Sequence, residues 1–409
     1  VLSQLEEVLS VKSVVCQNTE LRVEDRPALR PGNGQVLLDV LRCGICGSDL
    51  HLRLHCDHMA GLMNRTGYDH FPSAADPIVF GHEFCGEVLE YGPKTSRKLK
   101  PGTRVCAFPL LRSGNDIDLI GLSARSPGAY AEQIVVEESL MSPVPNGLSA
   151  EMAALTEPLA VANHAVARSE IAKRDVAIVI GCGPVGLAVI AILKARRVRT
   201  IVAADFSPAR RDLARRCGAD VAIDPERESP YKDWQDYGFI GTAPALLELG
   251  LGTREKLGKL PIPWWQTWGV IEALGIEPKR PVIFECVGVP GILASIVDGA
   301  PFHSRVVVVG VCMVPDSIEP ALAINKEIDL RFVLGYSPLE YRSTLHLIAD
   351  GKVRCEPLIT GTVGLEGVAR AFDALRDPER HAKILIDPKR AGDEVGEIAI
   401  DPVVRSRAK

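Results

Sequence analysis

The stretch VAIVIGCGPVGLAVIAILKARRVRTIVAAD, residues 176–205, limits what this chain can fold into more than any other. A β-branched, apolar run over 176–180 stops at Gly181. Gly181, Gly183 and Gly186 then fall in the spacing G-x-G-x-x-G, and an apolar helical face continues over 187–193. That order predicts a strand, a tight turn and a helix. Side chains in the turn would hold the backbone away from a pyrophosphate, and the helix beginning at Pro184 and Val185 turns N–H groups and a positive dipole end toward the same anion. Asp205 follows a second apolar run, about twenty residues past Gly186, where an acid accepts the ribose hydroxyls and repels a 2′-phosphate. The expected dinucleotide is therefore NAD rather than NADP. Arg210 and Arg211 lie just beyond and could serve a phosphate; we read them as a solvated helix face and keep Arg210 among the cofactor-side candidates. The uncharged run 176–193 also has the length of a minimal membrane span, but its three glycines, Pro184 and the acid after a second strand assign it to a nucleotide fold.

At 409 residues the chain suits two or three domains, and a net charge of -5 gives no field that would attract nucleic acid or an anionic membrane. Its eleven cysteines are odd in number and scattered singly, which reads as free thiols in a reducing compartment. Residues 1–10 form a short amphipathic extension without a secretory pattern, so the expected location is cytoplasmic and no membrane anchor is expected.

From residue 12 to 40 short β runs alternate with turns, and then Cys43, Gly44, Cys46, Gly47, Ser48, Asp49 and His51 crowd together. Cys43 and Cys46 alone would fit a zinc knuckle or a redox pair, but no second C-x-x-C follows. The more telling partners are His82 and Glu83, flanked by apolar residues and glycines. A thiolate, an imidazole and a carboxylate drawn from separate loops make an open site rather than a closed structural one, so a catalytic metal is expected. Cys43, Cys85 and Cys106 read as buried small hydrophobes, His164 as a satisfied helix histidine, and His55, Asp57, His58 and His70 as surface or entrance residues.

The motifs CGICGSDLH, GHEFCGEV, GTRVCAF, EPLAVANHA and GCGPVG resemble, in order, those of the medium-chain zinc-dependent alcohol dehydrogenases, particularly the polyol and threonine dehydrogenase branch. The resemblance covers about residues 12–388. It implies a GroES-like β-rich catalytic domain joined to a Rossmann domain, an α/β fold with a doubly wound parallel sheet. It also implies zinc ligands at Cys46 and His82, a third ligand at Glu157, and a Glu83 that binds zinc directly or exchanges with Glu157 and water. Asp49 resembles the acid that hydrogen bonds the ligating imidazole. Ser48 would take the alcohol proton and pass it through the cofactor ribose to His51. The family's four-cysteine lobe should fall between Cys106 and Tyr130, where this sequence has no cysteine, so one catalytic zinc and no structural zinc is expected.

The expected domains are 1–165 (catalytic), 166–325 (NAD-binding), 326–390 (return to the catalytic domain) and a loose tail, 391–409. Val287, after the strand PVIFECVG, and Val309, at the end of RVVVVG, are expected beside the nicotinamide. An insertion over 225–280 holds all four tryptophans. We read it as a lid or subunit contact shaping a large apolar substrate pocket, against a private mini-core packed on the NAD-binding domain. Deleting 230–275 should then alter substrate range or assembly and spare NAD affinity. The expected activity is hydride transfer between a secondary, polyol or aromatic alcohol and NAD in a homodimer or homotetramer. Its rivals are a zinc-free quinone or enone reductase and a non-catalytic NAD-responsive binding protein.

Overall fold

Alternating apolar and polar residues in runs of four to ten, broken by glycine and proline, build the N-terminal part from strands. In the computed structural model, which describes residues 10–232, 234–274 and 278–398, β1 (Ser10–Gln17) and β2 (Glu20–Pro27) form a hairpin, followed by β3 (Gln35–Gly44) and helix α1 (Gly47–Arg65). Next come β4 (Ile78–Val79), β5 (Glu83–Tyr91), β6 (Arg104–Ala107), β7 (Leu110–Ser113), β8 (Asp116–Leu119), β9 (Gln133–Glu137) and β10 (Met141–Pro143). The long strand β3 is the hub, paired with both β5 and β9. Apart from Ser10, the expected extension at 1–10 lies outside the described residues.

The helix expected over 149–169 is two, α2 (Ala150–Ala154) and α3 (Thr156–Arg168). Pro158 explains the break, since its ring cannot sit against the carbonyl four residues back and is accepted only in a new first turn. Then follow β11 (Val176–Ile180), α4 (Pro184–Ala195), β12 (Thr200–Ala204), α5 (Pro208–Cys217), β13 (Val221–Ile223), a short α6 (Trp234–Tyr237), α7 (Ala243–Leu257), α8 (Trp264–Ala273), β14 (Pro281–Glu285), α9 (Ile292–Gly299), β15 (Arg305–Val308), α10 (Pro320–Asn325) and β16 (Asp329–Phe332). The strands lie parallel in the order β13-β12-β11-β14-β15-β16, the doubly wound arrangement of a Rossmann sheet. Its ligand crevice belongs at the C-terminal ends of β11 and β14, where the strand order reverses. Helix α4, apolar on every side, is buried between this sheet and α3. At roughly 18 Å it is far short of a bilayer core, and among the described residues no helix is long and apolar enough to cross a membrane.

One expected boundary is corrected. β16 pairs with β15 and is fastened by Arg305 to Asp329 at 2.7 Å, so the nucleotide-binding sheet runs through Phe332 rather than ending at 325. After α11 (Pro338–Ala349), β17 (Ile359–Val363) and α12 (Val368–Ala374), the last strand β18 (Lys383–Ile386) returns antiparallel to β3, setting Leu385 opposite Gly44 and Ile386 opposite Cys43. The start of β18 thereby reaches the loop that carries Cys46. The tail is held as far as it is described, because Gly396 exchanges two 2.9 Å backbone hydrogen bonds with Thr362; residues 399–409 lie outside the described residues.

The insertion divides into two unlike parts. Tyr231 and Phe239 are buried with Ile178, Val202 and Ile283 on a face of the sheet. The segment between them and β14 is instead a helical hairpin, α7 and α8, in which no residue is buried. It leaves after Ile240, whose carbonyl accepts the Phe302 N–H, and returns just ahead of Pro281, so both roots lie at the N-terminal ends of β15 and β14. That is the end of the sheet opposite the glycine turn. The hairpin is therefore neither a private mini-core nor rooted where a lid over its own crevice would start. Deletion over 230–275 would also remove core residues, and 243–274 is the segment that can be excised.

Candidate active site

Strand β3 ends at Gly44, and the chain turns into α1 at Cys46, whose N–H donates to Asp49 Oδ2 at 3.0 Å. Asp49, wholly buried, also accepts the Tyr130 hydroxyl at 2.6 Å. His82 and Glu83 arrive from the next stretch, at the entry to β5, and the ligand atoms of Cys46, His82 and Glu83 all lie within 4.8 Å of one another. Bonds of about 2.0–2.3 Å to one tetrahedral ion would draw the three donors somewhat closer than this, so a small contraction brings them onto a single metal. His82 Nδ1 and Asp49 Oδ1 are both buried without a hydrogen-bond partner, yet they face each other at 3.6 Å. A contraction of a few tenths of an ångström would join them, the arrangement that fixes the tautomer of a ligating imidazole. A mixed sulfur, nitrogen and oxygen set suits zinc, and the residues present fit it.

The local charge balance points the same way. Burial pushes the Cys46 thiol up, and the Glu83 charge adds to this. Burial opposes the His82 cation, but Asp49, with Cys46 and Glu157 behind it, holds its pKa well above the usual imidazole range. Burial first, and then Glu83, push Glu157 up to about 7. Several acids compete for too little positive charge, which a divalent cation would supply.

The two glutamates left open by the sequence are placed differently. Glu83 stands in the donor group, and both its oxygens accept from Lys383 Nζ at 2.7 Å. Glu157, at the start of α3, lies outside that group and accepts the Tyr336 hydroxyl at 2.8 Å. Ser48, in the first turn of α1, has its Oγ 3.5 Å from His82 Nε2. His51 lies one turn further on, and burial, with the His55 charge, lowers its pKa. Among the described residues no hydrogen bond joins Ser48 to His51 directly.

At the glycine turn Gly181 has φ of +89°, and a Cβ on Gly186 would meet the Gly181 carbonyl oxygen at 1.9 Å, so neither position tolerates a side chain. Gly183 faces open space, the cradle a pyrophosphate needs. Asp205 braces the turn, accepting from the N–H of Cys182 at 2.7 Å and of Ser207 at 2.8 Å. The two arginines are not a solvated face. Arg211 is tied to the carbonyls of Asp205 and Phe206, and Arg210 is half-buried with its Nε lacking a partner. Val287 is 38% exposed against the turn, whereas Val309 is buried and donates its N–H to the Glu285 carbonyl. Helices α3 and α4 run side by side, and Arg196 at the end of α4 binds Asn163 in the second half of α3 at 2.6 Å. Their N-termini, carrying Glu157 and Pro184, thus lie at the same end, which brings the donor cluster toward the dinucleotide turn.

Residues 32–146 match the alcohol dehydrogenase GroES-like domain family, and residues 184–350 match the zinc-binding dehydrogenase family. The chain is 30% identical to (R,R)-butanediol dehydrogenase of Bacillus subtilis (strain 168) over 387 residues, 90% of this chain and 97% of that protein. It belongs to the zinc-dependent medium-chain alcohol dehydrogenases. The erythritol/L-threitol dehydrogenase of Mycolicibacterium smegmatis is 32% identical over 276 residues, 61% of this chain and 75% of that protein. The crystal structure of 2R,3R-butanediol dehydrogenase from Bacillus subtilis aligns with a TM-score of 0.69 at 28% identity, covering 93% of this chain and all of that one.

Three polar residues of the dehydrogenase's site were missed in its sequence: Lys383, Tyr336 and Tyr130. A lysine inside the apolar strand HAKILI was a visible anomaly, since charges are rarely buried unpaired. The two tyrosines carry no such signal. His164 pairs with Glu340 at 3.1 Å, and Cys43, Cys85 and Cys106 are buried, as read.

Proposed function

We propose that this dehydrogenase oxidises a small secondary alcohol with a neighbouring hydroxyl, of the diol or polyol kind, to the ketone, with NAD taking up the hydride and one proton released. The observation carrying this reading is the convergence of Cys46, His82 and Glu83 beside the facing, unpaired His82 and Asp49 atoms. The diol or polyol preference rests on the butanediol and erythritol/threitol dehydrogenases to which the chain is similar. When bound, zinc supplies a Lewis acid that eases removal of a hydroxyl proton, and NAD supplies the hydride acceptor. Cys46, His82 and a carboxylate hold the metal, with Asp49 orienting His82. Ser48 accepts the alcohol proton, and His51, whose pKa is lowered by burial and by the His55 charge, passes it toward solvent. Gly181, Gly183, Gly186 and the helix start at Pro184 and Val185 seat the pyrophosphate, Asp205 holds the adenosine ribose, and Val287 and Val309 border the nicotinamide. Arg210 borders the same ribose. NADH formation should be measured across vicinal diols, polyols, aromatic alcohols and long secondary alcohols on zinc-replete protein. Highest kcat/KM on diols or polyols supports the reading, and turnover confined to enones or quinones refutes it.

Two substitutions probe the roles separately. Ser48→Ala should leave zinc content unchanged and lower turnover about a hundredfold, the typical worth of a positioned proton acceptor; full turnover would remove Ser48 from the proton path. Asp205→Asn keeps an oxygen for the turn but removes the charge that repels a 2′-phosphate. The ratio of kcat/KM for NAD over NADP should fall about tenfold or more, since a charged hydrogen bond is worth about 1.5–3 kcal/mol. An unchanged ratio would place cofactor choice elsewhere.

One zinc per chain is proposed because residues 107–129 hold no cysteine, and the place of a metal lobe is taken by the β7–β8 hairpin with the buried Asp118 paired to Arg125 at 2.7 Å. Eleven free thiols support a cytoplasmic location. A homodimer or homotetramer is supported by apolar side chains left exposed at the β16 edge of the sheet, Ile324, Phe332 and Leu334 among them.

A further inference from the structure

Helices α7 and α8 contain fifteen and ten residues and bury none of them. Helices of that length are marginal in water on propensity alone. Between the two helices the Arg254 guanidinium lies 4.6 Å over the Trp264 ring, while the edge-on contacts of Trp264 with Trp265 and Trp268 stay within α8. Meanwhile the outer surface is apolar. Leu247 is 73% exposed and Trp265 60%, and Leu251, Val270 and Leu274 stand exposed beside them. Gly250 lies between Leu247 and Leu251 on one helical face, and Gly269 sits inside α8. A Cβ at either glycine would meet nothing within 4 Å. Each glycine costs about 1 kcal/mol of helix stability relative to alanine, and nothing among the described residues requires it; a second backbone approaching closely would.

Charge identifies the occupant. Within the two helices Glu248 and Glu272 lie on the root side and Arg254, Lys256 and Lys259 on the tip side, with Glu255 the single acid there; Lys279 and Arg280 follow at the return to β14 and belong to the domain body. The balance is neutral, without the basic excess that draws a helix to anionic lipid. The polarity along the hairpin is self-complementary in one orientation only. Two copies laid antiparallel set each acidic root against the other's basic tip, and two laid parallel set like against like. Two helical hairpins joined in this way make a four-helix bundle.

We propose that the α7–α8 hairpin is a self-association device, pairing antiparallel with the same hairpin of a second copy of this chain about a two-fold axis. Because it is rooted at the end of the sheet away from the glycine turn, it joins copies without entering either crevice. Its exposed apolar side chains are not those of the β16 edge, so the two surfaces together would build a tetramer from dimers.

The test uses full-length, zinc-loaded protein and light-scattering mass. One variant carries Glu248→Lys and Glu272→Lys, making root and tip both basic. The other carries Lys256→Glu and Lys259→Glu, making both acidic. Each alone should show half the parental mass with unchanged zinc content and NADH affinity, and an equimolar mixture should recover the parental mass. Leu247→Glu, at an exposed position that folding does not use, should halve the mass irrecoverably. Parental mass in all three variants, or a mixture that stays at half mass, would overturn the proposal. So would hairpin-dependent binding to phosphatidylcholine–phosphatidylglycerol vesicles with no change of mass.

Discussion

His82→Ala is expected to yield a folded protein that still binds NADH, holds no zinc in its crevice, and oxidises alcohol about a thousandfold more slowly or worse. The magnitude follows from the several kcal/mol that a Lewis-acid metal contributes, at about 1.4 kcal/mol per tenfold in rate. His82 is the member of the donor set with no substitute nearby. Under the proposed ligand set Glu83 and Glu157 are alternative oxygen donors, and Cys46 is fixed by its own N–H to Asp49, whereas removing the imidazole takes away one donor and leaves Asp49 buried with nothing to orient. NADH binding should survive because the glycine turn is braced by Asp205 and not by the metal loop. Metal analysis after dialysis, NADH titration and steady-state rates check the three parts. A variant with one full equivalent of zinc and unimpaired turnover would refute the role given to His82.

Lys383→Met should be the most destabilising single substitution around the site. Lys383 is 1% exposed, and its ammonium makes 2.7 Å contacts to both Glu83 oxygens and a 2.9 Å hydrogen bond to the Ile45 carbonyl. Burial alone would drive off its proton, but the charge of Glu83, then that of Cys46, keeps its pKa raised. Methionine fills a similar volume but strands the Glu83 carboxylate in a buried place, a situation that costs about 3–5 kcal/mol when one partner of a buried pair is lost. Glu83→Gln in the same chain should recover most of that loss, since a buried pair removed together leaves no uncompensated charge. Denaturant unfolding of the metal-free single and double variants tests this, and strictly additive losses would show that the two groups do not act as a pair.

These two residues differ in how legible they were. His82 was readable because metal chemistry restricts residue type and because Gly81-His82-Glu83 is local. The same holds for the glycine turn, where the geometry of a pyrophosphate dictates glycine at fixed spacing. Lys383 stands 300 positions from Glu83, and only the antiparallel return of β18 onto β3 brings it there, so periodicity along the chain carries no trace of the pairing. Tyr336 reaches Glu157 from the loop after β16, again through topology. The different placements of Glu83 and Glu157 were unreadable for the same reason, each being set by the partner that holds the carboxylate, Lys383 or Tyr336. A strand over 329–334 is legible in the sequence, but the residues ahead of it read as a connector back to the first domain, and only its pairing with β15 places it in the NAD-binding sheet. For the insertion, its tryptophans marked it as unusual, but only the structure shows that its helices bury nothing and spring from the far end of the sheet.

The central claim is that one thiolate, one imidazole and a carboxylate from separate segments hold a single catalytic zinc. Zinc-edge X-ray absorption on the purified enzyme tests it most directly. The account predicts one zinc per chain, with a single sulfur neighbour near 2.3 Å and nitrogen and oxygen neighbours at about 2.0–2.2 Å. A shell of three or four sulfurs, or an unchanged sulfur signal in Cys46→Ala, would contradict it.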